Sequence, residues 1–130
     1  MTLSTLFKIQ AVYVWFYAVM LWFAPEFAAT GPGWYDGTPL ASNFVAFGQV
    51  TAIPLIGLGV YAWMSPSWVG NNLKTVAMIF GVYLNLGFLI VQSYHVFIAE
   101  TAKLDPIGVA PTIILIALFL WKIRASDSKN

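Results

Sequence analysis

The chain has 130 residues, of which 60% are hydrophobic and only 8% are charged, with a formal net charge of +1. Soluble domains carry roughly 25% charged residues, so this composition excludes an ordinary water-exposed surface and indicates a protein that lies mostly in lipid. The six Lys and Arg residues form no basic patch in the sequence, so nucleic acid is not an expected partner. The absence of cysteine excludes disulfides and Cys-ligated metals.

Four apolar helices are predicted, and together they form one domain that covers residues 1–130. The first lies at about residues 6–24 and contains the run VYVWFYAVMLWFA, which ends just before Pro25. A bilayer core about 30 Å thick needs about 20 helical residues, and this segment meets that length. No small-residue cleavage site follows at the distance typical of signal peptides, so we expect a retained membrane anchor.

An outer loop is predicted at residues 25–43, where PEFAATGPGWYDGTPLASN contains the glycines and prolines that form turns. Trp34 and Tyr35 in this loop suit the headgroup zone of a bilayer. The second helix follows at about residues 44–64 and contains Pro54, which membrane helices tolerate. Its small residues would allow a close helix neighbour: they are Gly48, Ala52, Gly57 and Gly59.

The third helix, at about residues 75–99, is the most informative, because polar side chains interrupt its apolar run TVAMIFGVYLNLGFLIVQSYHVFIA. Seven residues follow one another at alternating steps of three and four, the spacing of a helix face that packs against a partner. These residues are Met78, Gly81, Asn85, Phe88, Gln92, His95 and Ala99. A short link then leads to the fourth helix, at about residues 107–123, and to the polar tail ASDSKN.

The basic residues predict how the helices are oriented. Four connected spans would place most of these residues on one side of the membrane: Lys8, Lys74, Lys122, Arg124 and Lys129. Lys103 falls on the other side. By the positive-inside rule, both termini are expected in the cytoplasm, or in the equivalent stroma or matrix. The predicted fold class is therefore an all-α integral membrane protein with four transmembrane helices in an antiparallel bundle.

Three residues of the third helix are candidate cofactor ligands: His95, Asn85 and Gln92. His95 is the single histidine and, at about 1.5 Å of rise per residue, it lies near the outer interface. Asn85 is expected near the midplane, where polar side chains are expensive and often functional. One histidine cannot form a zinc site, so no metal centre is predicted. A chlorophyll magnesium needs only one axial base, and each of the three residues is able to supply it.

Each candidate ligand also has a structural interpretation. A histidine at the interface can simply contact headgroups or water. The amides of Asn85 and Gln92 can pair with Gln49 on the second helix, or with Gln10 and its tyrosine neighbours on the first. Interhelical amide pairs contribute only about 0.6 kcal/mol on average in membranes, so they fix the register of the helices more than they drive association.

Catalytic and transport motifs are missing from the sequence. There is no HExxH, no nucleophile elbow, no glycine-rich phosphate loop and no paired carboxylates. No acid lies inside an apolar segment, whereas proton-coupled transport usually needs one, and Asp36 is expected to be a solvated loop residue. We therefore predict no catalytic residues and a non-enzymatic role, with a small-molecule transporter as the third choice of function.

Three motifs stand out in the first half of the chain: Phe23-Ala24-Pro25-Glu26-Phe27 at the end of the first helix, Gly48 with Gly57-x-Gly59 in the second helix, and Tyr61-Ala62-Trp63 at its end. In these motifs the chain resembles DoxX-like proteins and related small four-helix membrane proteins. The resemblance implies a four-helix bundle and assigns no functional residue. It also implies an alternative function, a component of a quinone-linked redox system.

The preferred expectation is a non-catalytic accessory subunit of a larger membrane assembly, photosynthetic or respiratory and linked to electron transport. Its expected partners are membrane lipid and other membrane subunits or a second copy of the chain. Chlorophyll or carotenoid, quinone and lipid are the expected ligand types, and the abundant aromatic residues suit all of them. The expected location is a bacterial inner membrane, a thylakoid membrane or an inner mitochondrial membrane.

Overall fold

The computed structural model of the chain describes residues 1–127, with their side chains as far as Ala125. This part of the chain is helical and has no strand. The helices are α1 (Leu3–Phe23), α2 (Pro25–Thr30), α3 (Ser42–Trp68), α4 (Leu73–Ala77), α5 (Leu84–Phe97) and α6 (Pro106–Asp127). A 3₁₀ turn, Gly70–Asn72, precedes α4, and a π-helical segment, Met78–Tyr83, joins α4 to α5.

Within residues 1–127, four helical units are long and apolar enough to cross a membrane. They are α1, α3, the continuous unit Gly70–Phe97 (named the third long helix) and α6. The four apolar helices predicted from the sequence are therefore confirmed, although the second is longer at both ends and the third begins at Gly70. The region predicted as the loop 25–43 contains the short helix α2, because Pro25 suits the first position of a helix.

Local residues begin two of the long helices. The Thr2 hydroxyl accepts a hydrogen bond from the backbone N–H of Thr5 at 3.1 Å and thereby caps α1. At α6 the Asp105 carboxylate accepts a hydrogen bond from the backbone N–H of Ile107 at 3.0 Å. Pro106 occupies the first helical position, where the missing N–H of proline costs no helical hydrogen bond. The start of α6, and with it the position of Asp105, therefore follows directly from the Asp-Pro pair.

The third long helix is not a uniform α-helix. Its central segment Met78–Tyr83 is π-helical, and at its end the N–H of Leu84 bonds the carbonyl of Ile79 five residues back. The seven-residue stripe predicted from α-helical spacing does not meet a single partner. Gly81 faces Phe119 of α6, whereas Asn85 faces Gln10 of α1.

The apolar core lies at the end of the molecule that contains the start of α1. Phe7 and Phe119 are fully buried and meet edge to face, with ring centroids 5.4 Å apart, an arrangement that favours aromatic pairs. The buried core residues are Leu6, Phe7, Ala11, Ala62, Ala77, Val82, Leu115, Ile116, Phe119 and Ile123. All four long helices contribute to this core, so it ties them together.

Two glycines allow the close approach of aromatic rings. A β-carbon on Gly59 would collide with the indole of Trp15, and one on Gly81 would collide with the ring of Phe119. The Trp15 indole also donates a hydrogen bond to the carbonyl of Ile56 at 3.2 Å and stacks on Trp63. Small residues therefore bring α3 onto α1 and the π segment onto α6, because they let neighbouring helices approach closely.

The four long helices are buried to very different extents. In its most apolar stretch, 39% of α1 is buried inside the protein, compared with 22% for the third long helix, 28% for α6 and only 11% for α3. Helix α1 is therefore the central element of the described structure. Helix α3 packs on α1 from one side and exposes most of its own apolar surface, including Phe47, Val50 and Ile53.

We predict that Gly81→Ala destabilises the protein by about 1–3 kcal/mol, the usual range for overpacking, because the added methyl group displaces Phe119 from the core. Gly87→Ala is the matched control, since a β-carbon on Gly87 meets no atom within 4 Å. It should be neutral or slightly stabilising, because alanine favours helices more than glycine does. Thermal unfolding of the detergent-solubilised variants, followed by circular dichroism, measures both effects, and equal melting temperatures for the two variants would contradict the prediction.

Candidate ligand-binding site

A reciprocal amide pair joins α1 to the third long helix. Gln10 and Asn85 are 2% and 1% exposed. The Asn85 Nδ2 donates to Gln10 Oε1 at 2.9 Å, and the Gln10 Nε2 donates back to Asn85 Oδ1 at 3.3 Å. The Asn85 Nδ2 also donates to the carbonyl of Gly81 at 2.9 Å. Of the two partners predicted for Asn85, Gln10 is therefore confirmed.

A second polar contact lies further along α1 and joins it to α6. The Tyr13 hydroxyl donates to the carbonyl of Gly108 at 2.9 Å and lies 3.2 Å from the Thr112 hydroxyl. Thr112 is buried and donates to the same carbonyl at 2.7 Å. Two hydroxyls thus share one backbone acceptor, so every hydrogen that these groups carry has a partner inside the protein.

A third polar group, made of three side chains, lies beside Gly108. The Tyr17 hydroxyl, the Gln92 Nε2 and the Asp105 Oδ2 each lie 3.2 Å from the position that a β-carbon on Gly108 would take. These side chains come from α1, α5 and the residue before α6. A side chain on Gly108 would therefore crowd these groups, and glycine lets three polar groups from different elements approach one another.

Two cavities flank this polar group, and we name them by their neighbours. The inner cavity, of about 180 Å³, extends toward the amide pair. Its lining consists of Gln10, Tyr13, Val14, Tyr17, Leu55, Leu58, Leu84, Asn85, Phe88, Gln92 and Thr112. The outer cavity, of about 260 Å³, extends toward the loops. Its lining consists of Tyr17, Leu21, Ala28, Pro32, Trp34, Val91, Gln92, His95, Val96, Ala102, Lys103, Asp105 and Val109.

Gln92 has an unusual position between the two cavities. Gln92 and Tyr17 line both of them. The Gln92 Oε1 is buried, and no residue that the structure describes donates a hydrogen bond to it. Buried polar atoms almost always have a partner, so this acceptor is a marked exception next to the fully paired Asn85.

His95 lies at the end of α5 and is half-buried against the outer cavity. Its Nδ1 is 2.6 Å from the Thr101 hydroxyl, and its carbonyl accepts the N–H of Thr101 at 2.9 Å. Because Thr101 occupies Nδ1, an axial bond to a pigment would have to use Nε2. The outer cavity is too small to enclose a chlorophyll macrocycle, so such a pigment would have to bind on the surface of the bundle.

Two loops that line the outer cavity are joined by direct contacts. The backbone N–H of Lys103 donates to the carbonyl of Pro32 at 2.8 Å, and the Trp34 indole donates to the carbonyl of Thr101 at 2.7 Å. Gly33 has a φ of +77°, and a β-carbon there would lie 2.8 Å from the side chain of Lys103. A glycine at this position therefore permits both the turn and the close loop contact.

Asp36, in the loop between α2 and α3, does not line the outer cavity. Asp36 is exposed, and its carboxylate accepts hydrogen bonds from the hydroxyl and the backbone N–H of Thr38, at 2.6 and 3.0 Å. These bonds favour the ionised form and hold the pKa of Asp36 below its ordinary value. Asp36 is thus a loop residue, as its position in the sequence predicts.

The three predicted ligand residues are divided between the two cavities, and only Gln92 lines both. Gln92 and His95 line the outer cavity, whereas Asn85 lies in the inner cavity with its amide already paired. In the described residues, no three His, Cys, Asp or Glu side chains come together as metal ligands would. Sequence reasoning missed Asp105, Lys103 and Trp34 as cavity residues, because loop packing has no periodic signal.

No family model matches this chain, and it has no match among curated proteins or solved structures. The resemblance to DoxX-like proteins therefore stays a prediction. The chemistry of the residues that line the cavities therefore carries the functional argument.

We predict that Asn85→Leu destabilises the protein by about 1–3 kcal/mol, because the buried Gln10 amide loses its partner. Gln10→Leu should act similarly, and the double variant should lose less than the sum of the single variants by about 0.6–1.7 kcal/mol, the coupling of an interhelical pair. Asn71→Leu, at an exposed position, is the control. Unfolding of the wild-type protein, the two single variants and the double variant in detergent gives the cycle, and strict additivity would mean that the pair contributes nothing.

Proposed function

We propose that the protein is an integral membrane protein and serves as a non-catalytic accessory subunit of a larger membrane assembly. In this proposal the four long helices form an antiparallel bundle with both termini in the cytoplasm, stroma or matrix. The single observation that carries the proposal is the exposed apolar face of α3, since only 11% of its most apolar stretch is buried.

The shape of the exposed surface supports a protein partner as well as lipid. Gly57 of α3 and Gly87 of α5 are exposed, and a β-carbon on either would meet no atom within 4 Å. Glycines buried between helices allow close packing, as Gly59 and Gly81 do here. A glycine on the outside has no such use in the single chain, whereas it suits close contact with a neighbouring subunit. Gly57 is flanked by the exposed Ile53 and Val60, which would extend this contact.

Contacts at one end of the molecule support the proposed orientation. The Lys8 ammonium lies 5.3 Å from the ring of Trp63 at the far end of α3, and Phe7 meets Phe119 near the end of α6. Lys8 and the basic residues after Phe119 thus gather at one end, while Lys103 packs on Gly33 in the loops. Lys129, which enters the same charge count, lies outside the described residues.

The proposed assembly belongs to a photosynthetic or respiratory electron-transport membrane, bacterial or organellar. A chain of 14.4 kDa with short connections adds little mass outside the bilayer. Its abundant aromatic side chains suit contact with lipid, with pigments or with other helices. These features support a structural subunit better than an enzyme.

We predict that gently solubilised protein migrates as a complex larger than 14.4 kDa, and that Gly57→Leu weakens this association about tenfold. The added side chain keeps the partner helix at a distance, and an interface contact of this kind contributes on the order of 1–2 kcal/mol. Ile114→Leu, at an exposed position of α6 instead of α3, conserves volume and is the control. Size-exclusion chromatography with light scattering, followed by mass spectrometry of the complex, identifies the partner or a second copy.

The behaviour of the wild-type protein alone can contradict the proposed accessory role. Wild-type protein that is monomeric after extraction under mild conditions, with no co-purifying chain, would exclude a stable accessory role. An unfolded Gly57→Leu variant is not expected, because the space beside Gly57 is open. Circular dichroism of the variant checks this point.

A further inference from the structure

We propose that the inner and outer cavities form one binding site for a neutral amphiphile whose hydroxyl head group donates a hydrogen bond to Gln92 Oε1. The inference does not rest on an accessory role, because the site lies within a single chain. The proposed ligand would lie between the Gln10–Asn85 amide pair and the loops.

The head-group position follows from the unpaired acceptor. Gln92 Oε1 is buried and lacks a donor among the described residues, whereas Asn85 and Gln10 satisfy each other. A buried acceptor is stable when a donor reaches it, and Gln92 lines both cavities, so a ligand in either one can reach it. The Tyr17 hydroxyl lines both cavities beside Gln92 and can donate to the oxygen of the same ligand hydroxyl.

The space around this point fits an elongated ligand. The inner cavity continues from Gln92 over an apolar wall formed by Val14, Leu55, Leu58 and Phe88. Taken together, the two cavities reach the volume range of small-molecule sites, which are mostly apolar with a few placed polar groups. An alkyl chain therefore fits the inner cavity, with its hydroxyl at the junction of the two.

The charges that line the outer cavity favour a neutral head group. Lys103 and Asp105 both line the outer cavity, so their opposite charges give no net attraction for an ionic ligand. An amide oxygen accepts hydrogen bonds only, so it repels a carboxylate and offers nothing to an ether or a quinone carbonyl. An alcohol satisfies Gln92 Oε1, and these other head groups do not.

The experiment uses a diazirine-bearing decanol and its methyl ether as probes of the full-length protein in detergent micelles. We expect the alcohol to label cavity residues such as Leu58 and Val91, as mapped by tandem mass spectrometry, and to bind about tenfold more tightly than the ether. Gln92→Met, which keeps the side-chain length, should abolish this difference by weakening alcohol binding alone. Gln49→Met, in α3 and away from both cavities, is the matched control.

A second variant keeps the test valid if Gln92→Met does not fold. Leu58→Trp fills the inner cavity without removing a polar group, and it should abolish labelling by the alcohol. Equal binding of alcohol and ether to the wild-type protein would overturn the proposal, as would labelling confined to residues outside the cavities. Tighter binding of decanoic acid, with loss on Lys103→Gln, would show that the site takes an anionic lipid instead.

Discussion

The pairing of Gln10 with Asn85 is the constraint on which the rest of the structure depends. Two amides that are almost fully buried among apolar helices satisfy each other, because an unpaired amide in an apolar interior is costly. Their mutual bonds set the register of α1 against the third long helix. Once this register is set, Tyr13 reaches the carbonyl of Gly108 and Tyr17 reaches the neighbourhood of Gln92. A single face of α1 thus organises the polar interior.

The apolar core and the cavities lie on opposite sides of this amide pair. Toward the start of α1, Phe7 and Phe119 fill the space between the helices, and Gly81 lets the Phe119 ring approach. Toward the loops, the helices leave two cavities, which share Tyr17 and Gln92 in their linings. The molecule therefore combines a tightly packed end, which holds the four helices together, with a looser end, where a ligand has room to bind.

Much of the candidate site was visible in the sequence, although its arrangement was not. The polar stripe that contains Asn85, Gln92 and His95 was correctly placed on the third long helix, and Gln10 was one of two predicted amide partners. The stripe was expected to meet one partner, yet Gly81 faces α6 and Asn85 faces α1, and the π segment Met78–Tyr83 interrupts the α-helical spacing. A π turn depends on how neighbouring helices pack, so α-helical spacing does not reveal it.

The sequence by itself determined the four long apolar helices, because hydrophobic length and composition are local properties that survive in any packing. It also indicated where the connecting turns lie, since glycine and proline act on their own backbone. Only the tertiary structure decided that Asn85 is paired while Gln92 Oε1 is not. It also decided that Lys103 and Asp105 join the outer cavity. These features depend on contacts between residues far apart in the chain, and no pattern along the sequence records them.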